Sequence, residues 1–295
     1  MNEPRRVEHQ QTDKGYVPVY TTAVVEQPWA DYKAEDHATW GTLYQRQREL
    51  LVGRASDEFL QAQDEMGMSP HAIPRFDQLN EVLGAATGWT LIGVEGLLPE
   101  LDFFDHLANR RFPVTWWIRR PDQIDYIAEP DLFHDLFGHV PLLMNPLFAD
   151  YMQAYGRGGV KAHSIGPEAL ANLTRLYWYT VEFGLINTPQ GLRIYGAGIV
   201  SSKGESLYSL ESPAPNRLGF DLQRIMRTRY RIDTFQKTYF VIDSYAQLIE
   251  ATGPDFTPLY ALLAEQDAVP AGQVLESDHV LTRGTGEGWS NDGDV

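Results

Sequence analysis

Two histidines, His134 and His139, stand in the segment EPDLFHDLFGHVPLL (129–143), whose other side chains are apolar or acidic. A neutral imidazole is a good metal ligand. Two of them in one apolar stretch, beside Asp131 and Asp135, favour a metal site over a pair of hydrogen-bonded core residues. Their spacing does not suit a regular helix. Five steps of about 100° leave the two rings about 140° apart. They therefore do not share a face as the i, i+4 pair of a zinc-protease helix does. To meet at one ion, the helix must be distorted between them or one ring must leave it. Pro130 and Asp131 mark a helix start, while Gly138 and Pro141 limit its continuation.

A third ligand stands in LANLTRLYWYTVEFGLI (170–186), which is apolar almost all round yet holds one carboxylate, Glu182, between Val181 and Phe183. An ionised carboxylate in such a setting needs a partner. That partner is a metal ion or an arginine such as Arg175 or Arg193. Two imidazoles and one carboxylate leave coordination positions open and are the donor set of non-haem Fe(II) oxygenases. The same trio serves hydrolytic zinc. Composition leaves both open, although a hydrolase would have only Asp135 as a general base beside the histidines.

The elements that must position these residues read as mainly helical. Residues 1–30 mix charges with Pro4, Gly15, Pro18 and Pro28 and predict an extended arm. Trp40, Leu43, Leu50 and Leu51 recur at a helical period until Gly53, and Ser56 caps a second helix carrying Phe59. A short helix ends near Gly88. Residues 89–94 read as a strand, followed by a helix with Phe103, Phe104 and Leu107 and a second strand over 113–118. Asn145-Pro146 opens a helix that ends at Gly156, with GRGGVK as a loop, and Gly166-Pro167 opens the helix of Glu182. GESLYSL and FDLQRIMRTRY predict helices, RIDTFQKTYFVI a strand, and SYAQLIEA a last helix. From Val269 onward five glycines and no apolar period predict a mobile tail. The expected division is an arm (1–30), a catalytic domain (31–268) and a tail (269–295), without repeats or heptads.

The 295-residue chain carries a net charge of −16, which argues against nucleic-acid and anionic-membrane partners. It has no cysteine, so disulfides, thiolate nucleophiles and Cys-bound zinc are excluded. The N-terminal residues show no leader and no stretch reaches membrane-spanning length, so the expected location is the cytoplasm.

EPDLFHDLFGHVPLL, LYWYTVEFGL and RIYGAGIVSS, in this order, resemble the pterin-dependent aromatic amino acid hydroxylases over about residues 89–245, and most of all their short bacterial members. The resemblance implies the family's single-domain catalytic fold, mainly α with a few short strands. It implies Fe(II) held by His134, His139 and Glu182, and a tetrahydropterin cofactor. The reaction implied is hydroxylation of L-phenylalanine to L-tyrosine with dioxygen, in a monomer served by pterin-recycling enzymes. Gly96, Leu97, Leu98 and Phe103, within VEGLLPELDFF, match the family's pterin loop. Tyr177 falls at a pterin-side position, and Asp135 stands where mammalian members have Glu. Arg119 matches the arginine that binds the substrate carboxylate, Pro130 packs on the substrate ring, and Trp178, Phe183, Gly198 and Ser201 complete the pocket. The chain departs from the mammalian pattern at Ile127 and Ala128, which puts head-group contacts there in question. Ile232 matches the position that separates phenylalanine from tyrosine hydroxylases. In a strand, Ile232 would face the pocket and Asp233 would point away. The competing readings are hydroxylation of tryptophan or tyrosine, and a non-catalytic pterin- or metal-binding protein.

Overall fold

The computed structural model describes residues 11–12, 15–16, 20–127 and 129–289. Expectations for residues 1–10, 13–14 and 17–19, for Ala128 and for the last six residues lie outside it. Eleven α-helices are described, α1 (Ala34–Leu51), α2 (Asp57–Glu65), α3 (Phe76–Ala86), α4 (Glu100–Ala108), α5 (Pro146–Ile165), α6 (Pro167–Tyr177), α7 (Ala197–Val200), α8 (Lys203–Glu211), α9 (Leu222–Arg227), α10 (Tyr245–Thr252) and α11 (Thr257–Ala264). The strands are short: β1 (Gln11–Thr12), β2 (Gly15–Tyr16), β3 (Val24–Val25), β4 (Thr90–Val94) and β5 (Arg111–Thr115) come first. After them come β6 (Leu185–Thr188), β7 (Gly191–Ile194), β8 (Asn216–Gly219), β9 (Thr238–Ile242) and β10 (Val280–Thr282). The mainly helical reading holds. No helix among the described residues is long and apolar enough to cross a membrane.

Besides the two-stranded β1-β2 pair, two larger sheets are described. One has the order β3-β4-β5, with β4 and β5 parallel and joined by α4. The other has the order β10-β8-β9-β6-β7. The segment of His134 and His139 lies against β5 and α7. Its outward-facing aromatics, Phe133 and Phe137, stack at 4.8 Å and pack edge-on against Trp40 of α1 and Phe59 of α2. All four are fully buried, so the histidine segment is fixed from behind by the main core. Helix starts follow their capping residues: the Ser56 hydroxyl accepts from the Phe59 N–H, and Asn145 accepts from the N–H groups of Leu147 and Phe148.

Three expectations are corrected. GRGGVK is not a loop, because α5 runs through it. A Cβ on Gly156 would lie 2.3 Å from the backbone N of Ala108, and one on Gly159 would lie 2.0 Å from the ring of Phe104. These glycines let α4 and α5 touch, and do not end a helix. The second strand begins at Arg111 and ends at Thr115, before the tryptophans. The described part of the segment after Val269, up to Trp289, is packed: β10 pairs antiparallel with β8, Arg224 and Asp278 form an ion pair at 2.9 Å, and the Thr238 hydroxyl donates to the Ala271 carbonyl at 2.6 Å. The arm is likewise tied down where it is described. β3 pairs with β4, and Trp29 Nε1 donates to the Ile73 carbonyl at 2.9 Å.

Candidate active site

The helical distortion that the histidine spacing demands is a π-helix. Residues His134–His139 are π-helical, and so are Trp178–Glu182, which continue α6. A π turn closes its hydrogen bonds five residues back instead of four. The Val140 N–H donates to the Asp135 carbonyl at 3.3 Å, and the Phe183 N–H to the Trp178 carbonyl at 2.8 Å. Widening the turn brings residues five apart onto one side. His134 Nε2 and His139 Nε2 lie 3.0 Å apart. The Glu182 carboxylate reaches His139 Nε2 at 3.2 Å and His134 Nε2 at 3.7 Å. One ligand atom from each residue lies within 4.8 Å of the others. RIYGAGIVSS closes over this trio because two of its residues lack a Cβ. A Cβ on Gly196 would lie 2.4 Å from the Glu182 carbonyl oxygen, and one on Gly198 would lie 3.2 Å from its carboxylate.

Hydrogen bonding sets which nitrogens are free. The Ser201 hydroxyl donates its single proton to the Ala197 carbonyl at 2.7 Å, so toward His134 Nδ1, 2.9 Å away, it acts as acceptor. His134 therefore carries its proton on Nδ1 and turns a bare Nε2 to the other ligands. Burial pushes its pKa down to about 4, so the ring stays neutral. His139 is drawn the other way. Burial opposes its charged form, but the Glu182 carboxylate, its hydrogen bond and Asp135 outweigh that and raise its pKa. Burial likewise works against the Glu182 charge, and His139 and His134 hold its carboxyl below the usual range. One positive charge shared by three converging donors is what the cluster calls for. A divalent cation fits that requirement better than a single proton, since two imidazole lone pairs and a carboxylate can face it together.

The trio lies at the floor of a cleft of about 270 Å³. Gly96, Leu97, Leu98, Phe103, Pro130, Asp135 and Tyr177, all anticipated from sequence, line it. Phe103 and Tyr177 meet edge-on at 5.8 Å, and Tyr177 lies parallel to the His139 ring at 6.2 Å. Asp135 accepts from the Thr115 N–H at 2.7 Å, and burial pushes its carboxyl up to about 7. Phe112, Thr115, Tyr155 and Thr174 also line the cleft and were missed. Phe112 packs on His139 at 5.1 Å. Starting the second strand at Arg111, as the run RFPVT permits, would have exposed it to view.

The remaining residues divide. Phe183 and Gly198 lie against Glu182, and the ring of Phe183 packs on Trp178 at 4.7 Å. Arg119 is buried, but its Nε and Nη2 edge is bound by Asp131 at 2.9 and 2.8 Å. A substrate carboxylate would have to meet the other edge of the guanidinium. Asp131 also accepts from the N–H groups of Arg119 and His134, so it caps the ligand helix as well. Ile232 does not face the cleft: it is 72 % exposed. The alternation expected of a strand is absent because residues 231–236 curl, with the Gln236 side chain donating to the carbonyls of Arg231 and Thr234. Asp233 also points away, paired with Arg231 at 2.9 Å.

A buried two-histidine, one-carboxylate cluster under an apolar cleft, on a mainly helical frame, defines the site of a mononuclear non-haem metalloenzyme. The chain belongs to the biopterin-dependent aromatic amino acid hydroxylases, whose family model matches residues 15–253. It is 65 % identical over 271 residues to the phenylalanine-4-hydroxylase of Ralstonia nicotianae, covering 92 % of this chain and 86 % of that one. It is 63 % identical over 269 residues to that of Chromobacterium violaceum, covering 91 % and 90 %. The crystal structure of the C. violaceum enzyme with bound oxidised Fe(III) superposes with a TM-score of 0.85 at 64 % identity, over 88 % of this chain and 93 % of that one.

Proposed function

We propose that this chain is a phenylalanine 4-monooxygenase that uses Fe(II), a tetrahydropterin and dioxygen to convert L-phenylalanine to L-tyrosine. The observation that carries the reading is the convergence of His134, His139 and Glu182 on one point at the floor of a cleft lined by the family's pterin-loop residues. His134, His139 and Glu182 would hold the iron. When bound, iron and reduced pterin together supply the activation of dioxygen.

The chain's own residues bind, orient and exclude water. Ser201 holds His134 in the tautomer that offers Nε2. Phe103, Phe112 and Tyr177 present ring faces and edges in a cleft with few polar groups, which suits a flat heterocycle and keeps water from reactive species. Asp135 is anchored by the Thr115 N–H, which leaves its carboxyl held at the edge of the cleft as a hydrogen-bonding group. Phe183, backed by Trp178, stands beside Glu182 as an aromatic wall for a phenyl ring.

The reading extends to a monomer in the cytoplasm, with a separate pterin-recycling activity. Each turnover consumes one reduced pterin, which supports the last point. The function is tested by anaerobic reconstitution with Fe(II) and aerobic turnover with a tetrahydropterin on phenylalanine, tryptophan and tyrosine in parallel. Tyrosine from phenylalanine as the main product is expected. A preference for either other ring would overturn the choice of substrate.

A further inference from the structure

We propose that Gln236 is a positioning residue for the aromatic substrate pocket, tying the loop 231–235 to the indole of Trp178. The proposal rests on the phenylalanine hydroxylase reading above and names how that enzyme holds one wall of its pocket. Trp178 Nε1, which can only donate, gives its proton to Gln236 Oε1 at 2.9 Å. That contact fixes the orientation of the amide, so Nε2 faces the loop and donates to the Arg231 carbonyl at 2.9 Å and the Thr234 carbonyl at 3.3 Å. One amide thus satisfies an indole and two loop carbonyls. Gln236 is 2 % exposed, so water cannot stand in for any of them.

The clamp has its own foundation. The Gln236 N–H donates to the buried Glu205 carboxylate at 3.1 Å, and the Tyr239 hydroxyl donates to the same oxygen. Glu205 lies in α8, whose first turn is capped by Ser202. On the far side of the loop, the ring of Phe235 packs on Tyr208 of α8 at 4.9 Å. The loop is therefore held to α8 at one end and to Trp178 through Gln236.

Trp178 transmits the constraint to the metal floor. Its indole is stacked on Tyr230 at 4.3 Å and meets the tilted ring of Phe183 at 4.7 Å. Phe183 follows the ligand Glu182 and abuts Gly198. Removing the Gln236 amide releases the indole edge-on and frees two carbonyls of the loop, without touching a metal ligand. The effect should fall on how an aromatic ring is seated and not on iron binding.

The test uses Gln236→Met, Trp178→Phe and the double variant, in iron-reconstituted protein. The readouts are kcat and KM for L-phenylalanine, the ratio of kcat/KM for phenylalanine to that for tryptophan, iron content and melting temperature. Gln236→Met is expected to lower kcat/KM for phenylalanine about tenfold, mainly through KM, and to narrow the phenylalanine-to-tryptophan ratio with iron content unchanged. Trp178→Phe should shift the ratio in the same direction, and adding Gln236→Met to it should move the ratio little further, because the indole–amide hydrogen bond through which Gln236 acts on the pocket is already broken. If Gln236→Met does not fold, Trp178→Phe alone decides, and an unchanged ratio in it overturns the proposal. Losses that simply add, or a lower melting temperature with the ratio intact, reduce Gln236 to a structural residue and also overturn it. Wild-type protein that hydroxylates none of the three amino acids removes the functional reading itself, a result distinct from an active wild type with an unmoved ratio.

Discussion

The hydroxyl of Ser201 lies 2.9 Å from Nδ1 of His134 while donating its own proton to the Ala197 carbonyl at 2.7 Å. A serine 67 residues away in sequence thereby dictates which nitrogen of a metal-ligand histidine is bare. The geometry needs α7 to lie against the His134–His139 segment. The stretch RIYGAGIVSS meets that need by carrying both the close-packing glycines and the serine.

Ser201→Ala should therefore weaken iron binding by about 10- to 100-fold, the range for loss of a ligand's orienting partner. Competition with a chelator of known affinity measures it. The fold should persist, since the change deletes only one hydroxyl. An iron affinity equal to that of wild type would show that His134 keeps its tautomer without Ser201.

Gly156→Ala should destabilise the protein without altering the site. The added Cβ would sit 2.3 Å from the Ala108 backbone nitrogen, and backbone cannot swing aside as a side-chain tip can. Overpacking of this kind costs about 1–3 kcal/mol. Chemical denaturation should show that loss, with iron content per folded molecule unchanged. A variant as stable as wild type would mean that α4 and α5 separate freely.

Glu205 sets a pH dependence of stability. Burial pushes its carboxyl from the ordinary 4.5 up to about 7, against the opposing pull of the hydrogen bonds from Tyr239 and the Gln236 N–H. Below the ordinary value both folded and unfolded chains hold the proton, and the contribution is complete. As pH rises, the unfolded chain ionises first, and the contribution is lost by the time the folded carboxyl titrates at about 7. The gap corresponds to about 3 kcal/mol. Glu205→Gln keeps an acceptor for Tyr239 and removes the titration, so its stability should fall less than that of wild type between about pH 5 and pH 8. Parallel stability curves for the two proteins would contradict this.

The chemistry was more legible in the sequence than the shape that delivers it. His134, His139 and Glu182 stand out because polar ligands in apolar runs need a reason to be there. Their spacing required a distorted helix, and the structure supplies it as two π turns. Periodicity rules describe regular turns only, so they indicated the need and not the solution. Gly156 and Gly159 misled because glycine breaks isolated helices, whereas here it permits helix contact. Gly272 and Gly284, after Val269, misled similarly. A Cβ on Gly284 would lie 2.2 Å from the Ala214 carbonyl oxygen, and one on Gly272 would lie 2.5 Å from the Trp289 ring. They mark packing, not looseness. Ile232 was picked out by its match to the family position and turned inward by an alternation rule that applies to strands, whereas its segment curls around Gln236.

The central claim is that one Fe(II) held by His134, His139 and Glu182 hydroxylates phenylalanine. Titrating metal-free protein with Fe(II) under anaerobic conditions, then assaying tyrosine formation with a tetrahydropterin and air, tests it most directly. Tyrosine formation should rise with added iron and level off at about one equivalent per chain, and His134→Ala, His139→Ala and Glu182→Ala should each stay near background. Wild-type turnover in any one of these variants, or full activity without iron, would contradict it.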